Sequence, residues 1–407
     1  MFFEIDKPKL PPLKEIKLLN ENNEFSIPSD LWASILDQYT RKEIIEHFSE
    51  LIENTPVPFP YRVYSIESVR KDYLELCSDI VKWENGKWEA LRTPKDLPML
   101  YRGRPIYLDY ISKKGLSVSD MFTQEIRMEC GHKSSPSPTR QWDRVGYTSK
   151  TRPVLKVMMG LNLNRTLRSG IYKTAMFDCL RLGRYMASQF KPSCAKSIYD
   201  FFGAKKVLDF SAGWGDRLVG FHSSNAESYI GIDPNTKLHS QYEKISSFCN
   251  TGKETKFICS PAEDADLSGV RVDFVFTSPP YFNTEKYSQE GTQSWKRYPT
   301  MNGWLSGFLY PTLTKCWSAL KEDGRIAINI TDVLDGNHYL EIIKPMTEYM
   351  KSLGATYEGV IGYRTKKRPG ENQGVVGGSV FCEPIFVWSK GSNPPEPKWN
   401  QDNYFGI

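Results

Sequence analysis

Val272-Asp273-Phe274-Val275-Phe276-Thr277-Ser278-Pro279-Pro280-Tyr281-Phe282 is the stretch on which the reading of this chain turns. Residues 272–276 are a short apolar run of the kind that lies buried in a sheet. The run stops at two consecutive prolines, which have no N–H to donate and leave the preceding carbonyls without ladder partners. Beside those carbonyls stand a short hydroxyl, Ser278, and an aromatic ring, Tyr281. Acceptors next to a ring suit a flat heterocycle that bears an amine. The acceptors take the NH2 hydrogens while the ring stacks on the heterocycle's face.

From about residue 157, short apolar runs alternate with helical or polar segments. The runs are Lys206–Phe210, Tyr229–Asp233, Phe257–Cys259, Val272–Thr277, Arg325–Thr331, Tyr357–Tyr363 and Val380–Trp388. Helical patterns occupy Ala175–Phe190 and Ser193–Phe202. Leu309, Leu313, Trp317 and Leu320 are spaced as a helical core face that ends before the turn Asp323-Gly324. Strands separated by helices predict an α/β domain with a mostly parallel sheet covered on both faces.

Val207-Leu208-Asp209-Phe210-Ser211-Ala212-Gly213-Trp214-Gly215 reads as the first strand of that sheet, ending in a glycine turn. Gly213 and Gly215 let backbone pass close to a ligand at the carboxyl end of the strand, where open α/β sheets bind. The second strand ends at Asp233, 24 residues beyond Asp209, a spacing at which a carboxylate reaches ribose hydroxyls. A helix cap is the plainer role for Asp233. The third strand runs into Cys259-Ser260-Pro261-Ala262-Glu263-Asp264.

Thr277–Tyr281 resembles the catalytic signature of DNA amino-methyltransferases, which methylate cytosine N4 or adenine N6 using S-adenosylmethionine. The signature lies 68 residues after Asp209, and the glycines do not complete a dinucleotide-binding GxGxxG. The resemblance covers about residues 185–390. It implies a class I, Rossmann-like methyltransferase fold with a seven-stranded, mostly parallel sheet and helices on both faces. It also implies S-adenosylmethionine as cofactor and DNA, or RNA, as partner. Asp209, Ser211, Ala212, Gly213, Gly215, Asp233 and Thr277 would then form the cofactor site. Asp209 would sit near the methionine end, Asp264 or Glu263 near the adenine amine, and Phe190-Lys191-Pro192 would close over the methionyl group. Ser278, Pro279, Pro280 and Tyr281 would hold the target amine, with Phe282 a second wall or simply core. Lys286, Lys296 and Arg297 in the loop after the signature, and Lys366, Lys367 and Arg368 before a glycine-rich stretch, would meet nucleic acid. Serine at 278 leans towards cytosine but leaves adenine open. Carbon-5 methylation is set aside because no cysteine follows a proline. An RNA methyltransferase of the same fold, or a catalytically silent nucleic-acid-binding module, remains the alternative. A restriction endonuclease partner is compatible with the resemblance, and the oligomeric state is left open.

The first 156 residues match no pattern and are expected to form an accessory α+β region, with residues 157–407 as the catalytic domain. Residues 1–28 are proline- and lysine-rich. Ser29-Asp30 reads as a helix cap, with Leu31, Ile35, Ile44, Ile45, Phe48, Leu51 and Ile52 as apolar faces. Gly131–Lys156 sets Lys133, Arg140, Arg144, Lys150, Arg152 and Lys156 against Asp143 alone. That makes it a solvated linker or a loop that touches phosphates. With 40% hydrophobic residues and 13% aromatics, disorder is excluded, and a net charge of +5 permits a polyanionic partner without requiring one. Eight cysteines without a CxxC pair argue against disulfide scaffolds and zinc, and Cys130 with His132 lacks further ligands. No metal is expected. The acidic start Met1–Lys7 is unlike a signal peptide and no apolar run reaches about 18 residues, so a cytoplasmic protein without membrane spans is expected.

Overall fold

A computed structural model of the chain describes residues 9–79, 82–109, 112–133, 135–142, 170–171, 176–178, 185–336, 338–365 and 380–398. Lys366, Lys367 and Arg368, the glycine-rich stretch after them, the basic residues from Arg144 to Lys156, and residues 175 and 179–184 of the expected helix lie outside the described residues, while residues 185–190 of that expected helix are not helical. The chain divides into two compact units, Met1–Tyr64 with Met128–Ala187 and Ser65–Arg127 with Ser188–Ile407. This division departs from the boundary expected at 156/157. Residues 83–108 pair into the main sheet and so belong with the C-terminal unit.

In the first unit, α1 (Ser29–Gln38) and α2 (Arg41–Asn54) bury one face each. α2 opens on a capping box: Glu43 N donates to Thr40 Oγ1 at 3.3 Å, and Thr40 N donates to Glu43 Oε2 at 2.8 Å. α1 follows Pro28 and has no side-chain cap bond, so the expected Ser29-Asp30 cap is not used. Trp32, Ile35, Ile44 and Phe48 form a core with Phe25, Ile27, Trp142 and Phe177. Trp142 meets the polar demand of its buried indole by donating Nε1–H to the Val57 carbonyl at 2.8 Å.

The second unit is built on a sheet of ten strands among the described residues. In chain order these are β1 (Trp83–Asn85), β2 (Trp88–Glu89), β3 (Ile106–Leu108), β4 (Lys206–Asp209), β5 (Ser228–Asp233), β6 (Glu254–Cys259), β7 (Val272–Thr277), β8 (Leu320–Asn329), β9 (Thr356–Arg364) and β10 (Val380–Ser389). Their spatial order is β1-β3-β9-β10-β8-β7-β4-β5-β6, with β2 beside β10. The seven strands from β4 onward are the seven apolar runs of the sequence. Neighbours among β4 to β8 pair parallel, and β10 runs antiparallel to both β8 and β9. Within the seven strands from β4 onward, that order and the single reversed strand β10 make the fold a class I methyltransferase fold. The additions are β1, β2 and β3, which lengthen the sheet beyond the seven expected strands.

Side chains alternate between the faces of a strand, and here both faces are buried, so the parallel strands read as continuous apolar runs. Leu208, Val275, Ile326 and Ile328 join a core with Leu313 and Cys316 of α8 (Tyr310–Ala319) and Met346 and Met350 of α9 (Ile343–Ser352), helices numbered with those introduced below. Phe274 and Phe276 point the other way. There the rings of Tyr199 and Phe202 lie 5.7 Å from Phe276 and 5.1 Å from Phe274. Those two residues belong to α5 (Pro192–Phe202), which packs on α6 (Asp216–Ser223), itself in contact with α7 (Thr236–Cys249). Earlier in the unit come α3 (Ile66–Cys77) and α4 (Leu116–Met128). Among the described residues no helix is long and apolar enough to cross a membrane.

Candidate active site

β4 sits between β5 and β7, so the strand order reverses at its carboxyl end, where α/β sheets open a crevice for ligands. Asp209 and Thr277 meet there: Thr277 Oγ1 donates to Asp209 Oδ1 at 2.8 Å. Asp209 is fully buried and also accepts from Arg217 Nε at 2.7 Å, Arg217 Nη2 at 3.3 Å, the Tyr229 hydroxyl at 2.7 Å and Ser211 N at 3.2 Å. A carboxylate offers about four lone-pair sites, and these bonds fill them. The expected contact from Asp209 to the methionine end of a cofactor is therefore corrected. Its charge fixes the base of the glycine turn and the start of the signature instead. Burial would lower the Arg217 pKa, but Asp209 and the other acceptors around it hold it above the usual arginine value. Arg217 also donates to the Ser211 carbonyl, and Phe190 stacks near its guanidinium at 5.4 Å. Phe190 thus lies beside Arg217 and packs on Phe276, with Pro192 buried at the start of α5. Arg217 had no distinguishing sequence signal beyond its place in Gly-Asp-Arg, because its importance follows from the burial of Asp209.

The glycine turn is held from the second strand. Ala212 N donates to the Ile232 carbonyl at 2.9 Å, and Gly213 N donates to Asp233 Oδ2 at 2.9 Å. Asp233 Oδ1 accepts Asn235 N at 2.9 Å, and the N-cap of α7 is Asn235 rather than Asp233, so the plainer role as helix cap falls to its neighbour. One lone pair on each oxygen remains. Burial pushes this carboxyl up to about 7, against the two backbone N–H bonds that lower it. Gly213 has φ +59, and a side chain there would meet nothing nearer than the Ser211 carbonyl at 3.6 Å, so the turn is open on that side. Gly215, at φ +82, would instead drive a Cβ to 2.6 Å from Ile245 Cδ1. Asn235 Oδ1 caps α7 while its buried Nδ2 has no partner. An open backbone cradle, two free carboxylate lone pairs and an unsatisfied amide donor fit a ligand rich in hydroxyls and polar edges.

At the third strand, Arg297 Nη1 bonds Glu263 Oε1 at 2.6 Å and Asp264 Oδ2 at 2.7 Å. The Glu263 carboxylate is buried, and a buried acid needs a cation. Two expectations change together: Asp264 is paired with protein, and Arg297 holds the loop rather than facing solvent for phosphate. The loop after the signature returns across the same strand ends. Thr236 donates its N–H and hydroxyl to Glu290, Thr292 donates to the Pro234 carbonyl at 3.3 Å, and Lys296 donates to Gln289 O. The ammonium groups of Lys286 and Lys296 lie 5.3 Å and 5.4 Å from the Trp295 ring centroid, which engages them within the loop.

In the signature, Phe282 has φ +53, donates N–H to the Pro280 carbonyl at 3.0 Å and buries its ring against Trp304 at 6.2 Å. It is core, not a second wall. Ser278 and Tyr281 are half-buried. Ser278 Oγ lies 3.2 Å from Asn329 Oδ1, and the Tyr281 hydroxyl lies 3.4 Å from the same oxygen. Asn329, the last residue of β8, was not singled out in the sequence, where it is only a polar residue inside the run Arg325–Thr331.

Residues 272–401 match the DNA methylase family model for amino-methyltransferases of the N6 and N4 type. Among solved structures, a putative RNA methyltransferase of Pyrococcus horikoshii is 16% identical over 49% of this chain and 83% of its own, with a TM-score of 0.32. TrmN of Thermus thermophilus is 15% identical over 49% of this chain and 48% of its own, at 0.33. An S-adenosylmethionine-dependent methyltransferase of Clostridium acetobutylicum is 12% identical over 46% and 85%, at 0.29. At these scores the solved structures carry no argument about substrate. No curated protein sequence matches. The family match and the strand order together support an S-adenosylmethionine-dependent amino-methyltransferase, with S-adenosylmethionine as its cofactor.

Proposed function

We propose that the protein transfers a methyl group from S-adenosylmethionine to the exocyclic amine of a DNA base, cytosine N4 or adenine N6. The observation that carries this reading is the Thr277–Asp209 bond, which ties the start of Ser278–Tyr281 to the base of the glycine turn. S-adenosylmethionine supplies an electrophilic methyl. Ser278 Oγ and the carbonyls at the prolines accept the amine hydrogens, which shifts electron density back to a nitrogen whose lone pair is delocalised into the ring. With S-adenosylmethionine bound, its methyl would pass to that nitrogen with loss of the sulfonium S–C bond, and the surplus amine proton would leave to water. No covalent enzyme intermediate is required, so positioning dominates. Tyr281 stacks on the base, which must be swung out of a duplex to reach a half-buried site. Tritiated methyl transfer to duplex DNA, single-stranded DNA and bulk RNA tests the reading. Label in DNA is expected, label in RNA alone would move the substrate class, and label in neither with cofactor bound would overturn the proposal.

Asp233 gives the site a pH dependence with two opposite slopes. Its carboxyl titrates near 7 in the folded chain, above its usual value of 3.8. The stability that this group contributes is therefore present below about pH 4 and lost as pH rises through 7. Cofactor affinity should run the other way, because ribose hydroxyls donate to the ionised form. Calorimetric titration should show S-adenosylmethionine binding weakening by up to about tenfold per pH unit below 7. Asp233→Asn should flatten that profile, and an unchanged slope in the variant would remove Asp233 from the cofactor site.

A further inference from the structure

Ser278 can accept a hydrogen bond from an amine without competition only if its own proton is donated elsewhere. The recipient is fixed by the fold. Thr277 of β7 lies in register with Ile328 of β8, which brings Asn329 beside Ser278. Asn329 is 1% exposed and its Nδ2 donates to the Pro384 carbonyl of β10 at 2.9 Å. A carbonyl only accepts, so the amide nitrogen must face Pro384 and Oδ1 must face Ser278, 3.2 Å away. The Tyr281 hydroxyl reaches the same Oδ1 and the Asn329 carbonyl, each at 3.4 Å. One buried amide, oriented by β10, thus meets the acceptor and the stacking ring of the signature at once.

We propose that Asn329 is the positioning residue of the amine site. Its Oδ1 accepts the hydrogen bond that the Ser278 hydroxyl donates and steadies the Tyr281 hydroxyl, which leaves the Ser278 lone pairs facing the substrate as acceptors. Such a site favours a primary amine, whose N–H groups donate, over a carbonyl or bare ring nitrogen, whose lone pairs would oppose those of Ser278. The inference rests on the reading of Ser278–Tyr281 as the amine site.

The test compares the full chain with Asn329→Leu, Ser278→Ala and the double variant, measuring kcat on DNA and RNA, the S-adenosylmethionine Kd and thermal melting. Asn329→Leu is expected to lower kcat about 100-fold, in line with the removal of one preorganised group at a reacting centre. The cofactor Kd should stay within about twofold, because Asn329 acts through the signature. The double variant should be little worse than Ser278→Ala, since two residues that act through one contact are not additive. Asn329→Ala removes the same acceptor without added bulk, and it carries the same cycle if the leucine variant melts early. Full kcat in these variants, or losses that multiply, would overturn the inference and leave the amine reading standing. No transfer by the unaltered protein to any nucleic acid would overturn that reading and the inference with it.

Discussion

Tyr281→Ala is expected to leave methyl transfer near background while S-adenosylmethionine binding stays within about twofold. Stacking of a base on an aromatic ring is worth about 1–3 kcal/mol, so its loss alone approaches 100-fold in kcat/KM before any loss of orientation. Tyr281 packs only partly against the core, and its hydroxyl bonds to Asn329 are long, at 3.4 Å. Tyr281→Phe keeps the ring and should therefore lose only a few-fold. Parallel kinetics and cofactor titrations on both variants check this. Equal loss of transfer and cofactor binding in the alanine variant would make the ring structural.

The second large effect is on stability. Arg217→Leu would strand the Asp209 carboxylate, buried and without a cation. Removing one partner of a buried ion pair costs about 3–5 kcal/mol. For a domain of this size that corresponds to a melting temperature lower by about 10 °C. Lysine is not a substitute, because Arg217 uses both Nε and Nη2 on one carboxylate and reaches the Ser211 carbonyl as well. The glycine turn loses its anchor at the same time, so cofactor affinity should fall with stability. A melting shift under about 2 °C would show that Asp209 has other means of compensation.

Much of the architecture was legible because it is written in short periods. Seven apolar runs at strand length, each closing before a turn or helix, became seven strands, and Asp233 fell at the end of the second as its spacing required. The three strands β1, β2 and β3 were not legible. They are two or three residues long, too short for alternation to show, and exist because partners in β9 and β10 complete them. The same limit applies to the site's polar wiring. Arg297 read as a free cation because Glu263 and Asp264 lie 34 and 33 residues earlier, and their proximity is a product of the fold. Asn329 was hidden for the same reason, since the carbonyl that orients it is 55 residues downstream. Asp209 was found by its position at a strand end but assigned to a ligand. Only its burial shows that arginine, tyrosine and threonine consume its lone pairs.

The most direct measurement is the identity of the methylated nucleoside. DNA and RNA incubated with the protein and labelled S-adenosylmethionine would be digested to nucleosides and resolved by mass spectrometry. A methyl on the exocyclic nitrogen of cytosine or adenine is the expected result, lost in Tyr281→Ala. A methyl on ring carbon or ribose oxygen, or none despite bound cofactor, would contradict the assignment of Ser278–Tyr281 as an amine site.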